Sequence, residues 1–303
     1  MTPAHPGSDS TQPSHPHDQP PNAPSHGHSH DHPEWADRGK ELVNDGETFA
    51  PMVDQALAWL AERVPDVRSV LDVGTGPGVA ACSFAELIPA ASVLAVDGSG
   101  ELLDLARSRA ARLGVGDRLA TRQVTLPDDL AELPQADIVW VSGVVHHLPD
   151  PVAALRALGA LVRPGGLLAV REGGLPTRFL PDGAAPGLLS RLEAVSEDLV
   201  AAAQHPAGVV PRAADWPDLL REAGLHPAGS KSFLLDLPAP VTTNVREWIH
   251  GRLAMLLRLA AEDVSGADRA LLDRLLDPAA PDGLLRRSDL FLLAASTVHT
   301  ARP

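Results

Sequence analysis

Between residues 69 and 171 short, almost continuously apolar runs alternate with stretches whose apolar positions recur at helical spacing. Ser69 to Val73, Ser92 to Val96, Ala136 to Ser142 and Leu167 to Arg171 read as strands, and Ala120 to Leu126 as a weaker one between the second and third of these. The helices between them are Val79 to Ile88, Glu101 to Leu113 (stopped by Gly114) and Val152 to Val162 (closed by Pro164, Gly165 and Gly166). Strands without polar alternation, separated by helices, predict a parallel sheet covered on both faces. The fold class is therefore α/β, a Rossmann-like doubly wound sheet.

Upstream, Glu34 to Asn44 and Ala50 to Glu62 show helical spacing (Met52, Val53, Ala56, Leu57, Leu60) and predict one or two helices leading into the core. Downstream of Gly174 the rhythm loosens. Leu188 to Ala203 reads as an amphipathic helix in an insertion, and Asp215 to Gly224 as a helix opened by Asp-Trp-Pro. Ser230 to Leu237 is a strand, Val245 to Leu276 is mostly helical with a break near Ser265-Gly266, and Asp289 to Val298 is a closing apolar strand. The predicted organisation is a tail over 1–33 and one domain over 34–303. A helical segment lies at 34–64, and insertions at 175–211 and 238–288.

Composition changes the picture mainly at the N-terminus. Residues 1–33 hold eight prolines and seven of the 13 histidines, with almost no large apolar side chains. Such a segment buries too little to offset its ordering entropy and is expected to be disordered. His26, His28, His30 and His32 alternate, so an extended chain would point them one way and capture a divalent metal adventitiously. No functional metal site is predicted. The 39 acids against 25 bases give a net charge of −14, which opposes nucleic acid or an anionic membrane as partner. Cys82 is the single cysteine, so intramolecular disulfides are excluded and a cytoplasmic location is expected. No secretory leader or membrane span is read from the sequence.

The strongest chemical signal is Val70-Leu-Asp-Val-Gly-Thr-Gly-Pro-Gly78. Glycines at a strand end let the backbone turn sharply and approach a ligand, and the following helix offers free N–H groups. Asp97 ends the second strand, where a carboxylate can accept both hydroxyls of a ribose. Together they predict an adenosine-type ligand. A nicotinamide fingerprint wants G-x-G-x-x-G, whereas the spacing here is G-x-G-x-G with Val79 next. Asp72 also adds an acid where a pyrophosphate would gain nothing. S-adenosylmethionine has no phosphate and carries an ammonium and a sulfonium, so it suits these residues better.

VLDVGTGPG, AVDGS at the second strand end, ADIVWVSGVVHHLPDP and LVRPGGLLAVREGG together resemble motifs I, II, IV and VI of class I S-adenosylmethionine-dependent methyltransferases. The resemblance covers about residues 35 to 303. It implies a seven-stranded sheet of order 3-2-1-4-5-7-6 with the last strand antiparallel. It also implies that Asp72, Gly74, Gly76 and Gly78 line the methionine end, that Asp97 holds the ribose, and that Gly98 and Ser99 flank the adenosine. The family often carries an aspartate after the third strand for the adenine amino group. Thr125 stands there in this chain, followed by Leu126.

Other candidates follow from position. His146 and His147 come after the fourth strand, at the rim where the family places acceptor and sulfonium, and His146 is the candidate catalytic base. Ser142 is expected near the cofactor edge and Trp140 in the core. The resemblance implies that the helix beginning at Trp35 covers the cofactor site, which makes Arg38 a candidate partner for the methionine carboxylate; an exposed helical arginine is the plain alternative. Trp248, His250 and Arg252 are candidates for covering the acceptor. The expected function is in-line methyl transfer to a small-molecule acceptor, extending by resemblance to natural-product biosynthesis, in a monomer or homodimer. Two alternatives stay open: an inactive ligand-binding or sensor protein of this fold, and an NAD-dependent oxidoreductase.

Overall fold

The computed structural model describes residues 34–195, 215–260 and 264–303. Seven strands form one sheet: β1 (Ser69–Val73), β2 (Ser92–Asp97), β3 (Leu119–Gln123), β4 (Ala136–Ser142), β5 (Val162–Arg178), β6 (His226–Leu237) and β7 (Leu292–Arg302). Their order is β3-β2-β1-β4-β5-β7-β6. The first five run parallel, with Leu71 of β1 opposite both Leu94 and Val139. Strand β7 enters antiparallel between β5 and β6. Both the strand order and the antiparallel β7 agree with the expectation.

Helices α1 (Glu34–Ala61), α2 (Val79–Leu87), α7 (Thr243–Leu259) and α8 (Gly266–Leu276) contribute to one apolar layer. A helical run over 188–195 (α5) joins it. Helices α4 (Pro151–Ala160) and α6 (Trp216–Glu222) contribute to the other, and α3 (Gly100–Leu113) flanks β2 and β3. Side-chain alternation divides β4 between the layers: Ile138 and Trp140 face the first, Val139 and Val141 the second. Trp140 is fully buried and meets Phe84 edge-on at 6.0 Å. The start signals are real caps. Ser99, Asp150, Asp215, Thr242 and Ser265 each accept a backbone N–H of the helix that follows.

The N-terminal run takes one of its two expected forms, and three strands differ from expectation. The N-terminal pattern gives one 28-residue helix that runs through Pro51. Gly46 sits in its interior because a Cβ there would lie 2.6 Å from Val79 Cγ2, so α1 lies directly on the start of α2. Strand β5 begins at Val162, before the Pro-Gly-Gly turn. Val162 pairs with Ala136 and Leu167 with Ile138, so the turn bulges out of a continuing ladder. Strand β6 starts earlier, at His226, and β7 runs on to Arg302 because its polar residues find partners. Thr300 Oγ1 donates to the Gly229 carbonyl (2.8 Å), and Arg302 donates to the carbonyls of Gly165 and Gly166. The expected helix Leu188 to Ala203 is seen to residue 195, and its remainder lies outside the described residues.

Candidate active site

At the end of β1 the chain turns through Gly74, Gly76 and Gly78 with φ of 70°, 56° and 76°. Only glycine adopts this region without strain. The N–H groups of Gly74 and Thr75 both donate to the Val96 carbonyl, which ties the turn to β2. The three glycines have different surroundings. A Cβ on Gly74 would lie 2.3 Å from Val144 Cγ2, and one on Gly78 would lie 2.5 Å from Ala106 Cβ. Nothing lies within 4 Å of where a Cβ on Gly76 would be. Gly74 and Gly78 thus admit neighbouring elements, while Gly76 fronts open space.

Two carboxylates serve this turn. Asp97 Oδ2 accepts the Gly76 N–H (2.8 Å) and Oδ1 accepts the Ser99 N–H (3.0 Å). Asp72 is buried and accepts the Thr75 hydroxyl at 2.7 Å. Burial pushes its carboxyl up from 3.8 to about 7, helped by the charge of Asp97 and opposed by the hydrogen bonds from Thr75 and the Ala81 backbone. An acid whose folded pKa is raised keeps its proton in the native state after the unfolded chain has lost it. Its contribution to stability therefore falls as pH rises from about 4 to about 7 and is level above that range. Asp72→Asn is expected to flatten that slope and to raise the denaturant midpoint most at about pH 8, where the parent bears a buried charge. Parallel slopes in the two proteins would remove Asp72 as its source.

The flanking candidates also find places. Ser99 caps α3 and donates to Glu101 Oε2 at 2.8 Å, while the Gly98 carbonyl accepts from the Gln123 side chain. After β3, Thr125 is exposed and Leu126 half-buried. The Thr125 N–H donates to Asp129 at 2.6 Å, so a carboxylate does stand at this end, four residues later than the family pattern. Sequence reading missed Asp129 because it belongs to a short helical turn, Asp128–Glu132, that folds back on the loop.

At the ends of β4 and β5, Ser142 lies opposite Arg171, whose Nη1 donates to its hydroxyl at 3.0 Å. His146 follows on the short turn Val145–His147 and is 6% exposed. Its Nδ1 lies 3.1 and 2.9 Å from the two oxygens of Glu172, a residue of β5 that is 3% exposed. The exposed His147 ring packs on His146 at 3.9 Å between centroids. Glu172 is the second residue that sequence reading missed: it stands inside a quoted motif, but only the pairing of β4 with β5 brings it to His146.

The remaining candidates belong to the helices. Trp248 donates from Nε1 to Asp45 of α1 (3.0 Å) and meets Phe49 edge-on, so it clamps α7 to α1. The His250 ring lies 3.0 Å from the Leu276 carbonyl of α8. Arg252 is half-buried on α7. Arg38 belongs to α1, but its side chain lies outside the described residues, as does the histidine run 26–32. Among the described residues no group of three or more His, Cys, Asp or Glu could hold a metal, and no helix is long and apolar enough to cross a membrane.

Residues 71–168, which carry this whole rim except its last strand end, match the family model described as a methyltransferase domain. A ubiquinone biosynthesis O-methyltransferase of Vibrio parahaemolyticus is 39% identical over 136 residues, covering 44% of this chain and 56% of that protein. An uncharacterized protein of Synechococcus is 39% identical over 118 residues, 38% of this chain and 28% of its own length. The chain thus spans less than two thirds of either relative. In fold, a provisionally named O-methyltransferase of Nostoc punctiforme superposes with a TM-score of 0.50 at 22% identity, covering 67% of this chain and 56% of that one. A sheet of this order, opening from its first strand onto a segment that matches a methyltransferase domain, is the arrangement that the resemblance to class I S-adenosylmethionine-dependent methyltransferases implies.

Proposed function

We propose that the protein transfers the methyl group of S-adenosylmethionine to a hydroxyl of a small-molecule acceptor. The observation that carries this reading is the open space over Gly76, whose N–H the Asp97 carboxylate accepts, with the buried Asp72 bonded to the neighbouring Thr75. Carboxylates at this turn oppose a pyrophosphate, whereas a ligand without phosphate meets no such repulsion. When bound, S-adenosylmethionine supplies an electrophilic methyl on sulfur. Asp97 would hold the ribose, since each oxygen keeps a lone pair beyond the backbone N–H it accepts. Gly98, Ser99, Thr125, Leu126 and Asp129 would bound the adenosine end. Ser142 would face the methionine end.

The acceptor half rests on His146 and Glu172. The carboxylate holds Nδ1, so Nε2 is left to take the hydroxyl proton as the acceptor oxygen attacks in line. The name of the Vibrio relative, an O-methyltransferase, supports an oxygen acceptor. Elsewhere α1 and α7 are joined by Trp248 and Asp45, and α5 and α8 by the two-pronged pair of Arg191 with Asp268 (2.9 and 2.6 Å). These helices would exclude water and shape the acceptor pocket.

Calorimetry with S-adenosylmethionine, S-adenosylhomocysteine and NADH tests the cofactor, and transfer of labelled methyl onto a panel of phenols tests the reaction. Asp97→Ala is expected to weaken S-adenosylmethionine binding at least about tenfold, about 1.4 kcal/mol. Asp97→Asn, which keeps one acceptor oxygen for the turn, separates lost ligand contacts from a loosened loop. Unchanged affinity in a folded Asp97→Ala protein would remove Asp97 from the site. Tight binding with no turnover on any acceptor would favour the ligand-sensor alternative.

A further inference from the structure

We propose that Val144 is a positioning residue through which the glycine turn sets the His146 ring. Gly74 leaves a notch in the turn, and the Val144 side chain occupies it. A Cβ on Gly74 would lie 2.3 Å from Val144 Cγ2 and 3.5 Å from both Cβ and Cγ1. Val144 is also the residue that launches the short turn bearing His146, and its carbonyl accepts the His147 N–H at 2.9 Å. On its other side Gly143, at φ 66°, donates its N–H to the Arg171 carbonyl of β5 (3.1 Å). The loop is therefore fixed to β5 at Gly143, seated on the β1–α2 turn at Val144, and fixed to β5 again where Glu172 holds His146.

This arrangement gives the ring two references. Glu172 fixes one nitrogen, and the valine in the Gly74 notch fixes the backbone two residues before the ring. A β-branched side chain suits the task because it is stiff at χ1, so a displacement of the turn passes to the loop instead of being absorbed by a rotamer change. Gly76, which fronts the open space, is two residues from Gly74 in the same turn. A ligand resting there moves or stiffens the surface on which Val144 sits. Occupancy of the cofactor space and the orientation of the base become linked, without contact between ligand and ring.

Because the coupling presumes that S-adenosylmethionine binds at this turn, S-adenosylhomocysteine is the probe, and no acceptor is needed. The full chain is labelled at the histidine rings, and the His146 resonance is assigned with His146→Gln. Adding S-adenosylhomocysteine is expected to shift that resonance in the parent. In Val144→Ala the ligand should bind within about threefold of the parent affinity, while the shift is lost. Val144→Thr keeps the branched shape and should restore it, which a general loosening of the loop would not permit. A parent-sized shift in Val144→Ala, or a silent His146 in a parent that calorimetry shows to be saturated, would overturn the coupling. Absence of S-adenosylhomocysteine binding to the folded parent would overturn the cofactor reading and the coupling with it.

Discussion

Gly76→Val is expected to leave a folded protein that no longer binds S-adenosylmethionine. The Cβ would enter open space, with nothing within 4 Å, so the free protein meets no clash. The cost to the fold is that of holding a β-branched residue at φ 56°, about 1–2 kcal/mol. The same side chain fills the open space in which the proposed cofactor would rest. Gly78→Val gives the contrasting result. Its Cβ would lie 2.5 Å from Ala106 Cβ and 2.9 Å from Ala106 Cα, so α2 and α3 must separate, and overpacking adds about 1–3 kcal/mol to the same backbone strain. Melting curves and calorimetry on both variants check the pair. Parent affinity in Gly76→Val would mean that the open side of the turn is not the ligand side.

Glu172→Gln should lower methyl transfer by about a hundredfold or more while S-adenosylmethionine affinity stays within about threefold. The substitution keeps size and one acceptor oxygen. It removes the charge that holds His146 Nδ1 at 2.9 and 3.1 Å and favours an imidazolium as the proton arrives. His146→Asn should cost a similar amount, and the double variant little more than either, because the two residues act as one unit. Labelled transfer to any phenol the parent accepts, alongside melting curves, provides the measurement. Full turnover in folded Glu172→Gln would make the pair a purely structural contact.

How far the site could be read beforehand depended on how local its parts are. The glycine turn, Asp72 and Asp97 lie at strand ends whose apolar runs are plain in the sequence, and the resemblance was carried by those same runs. The strand order was reached through that resemblance, since periodicity alone supplies strands without neighbours. The three glycines looked alike in sequence. Their division into one that fronts open space and two that seat Val144 and Ala106 follows from which helices and loops pack there. Trp248 could be read as core or cover by spacing; its bond to Asp45 on α1 joins residues 203 positions apart, beyond any local pattern.

The parallel α/β rhythm is legible without any tertiary contact, because burial on both faces writes each inner strand as an unbroken apolar run. The turn chemistry is legible too, since only glycine tolerates the positive φ that the β1–α2 connection needs. Tertiary structure decided which carboxylate meets which partner. Glu172 reaches His146 only through the register of β4 against β5, and Asp129 reaches Thr125 only because a short helical turn folds back. It also decided the titration of Asp72, because a carboxyl holds its proton to about pH 7 only when packing strips away its water and sets Asp97 nearby.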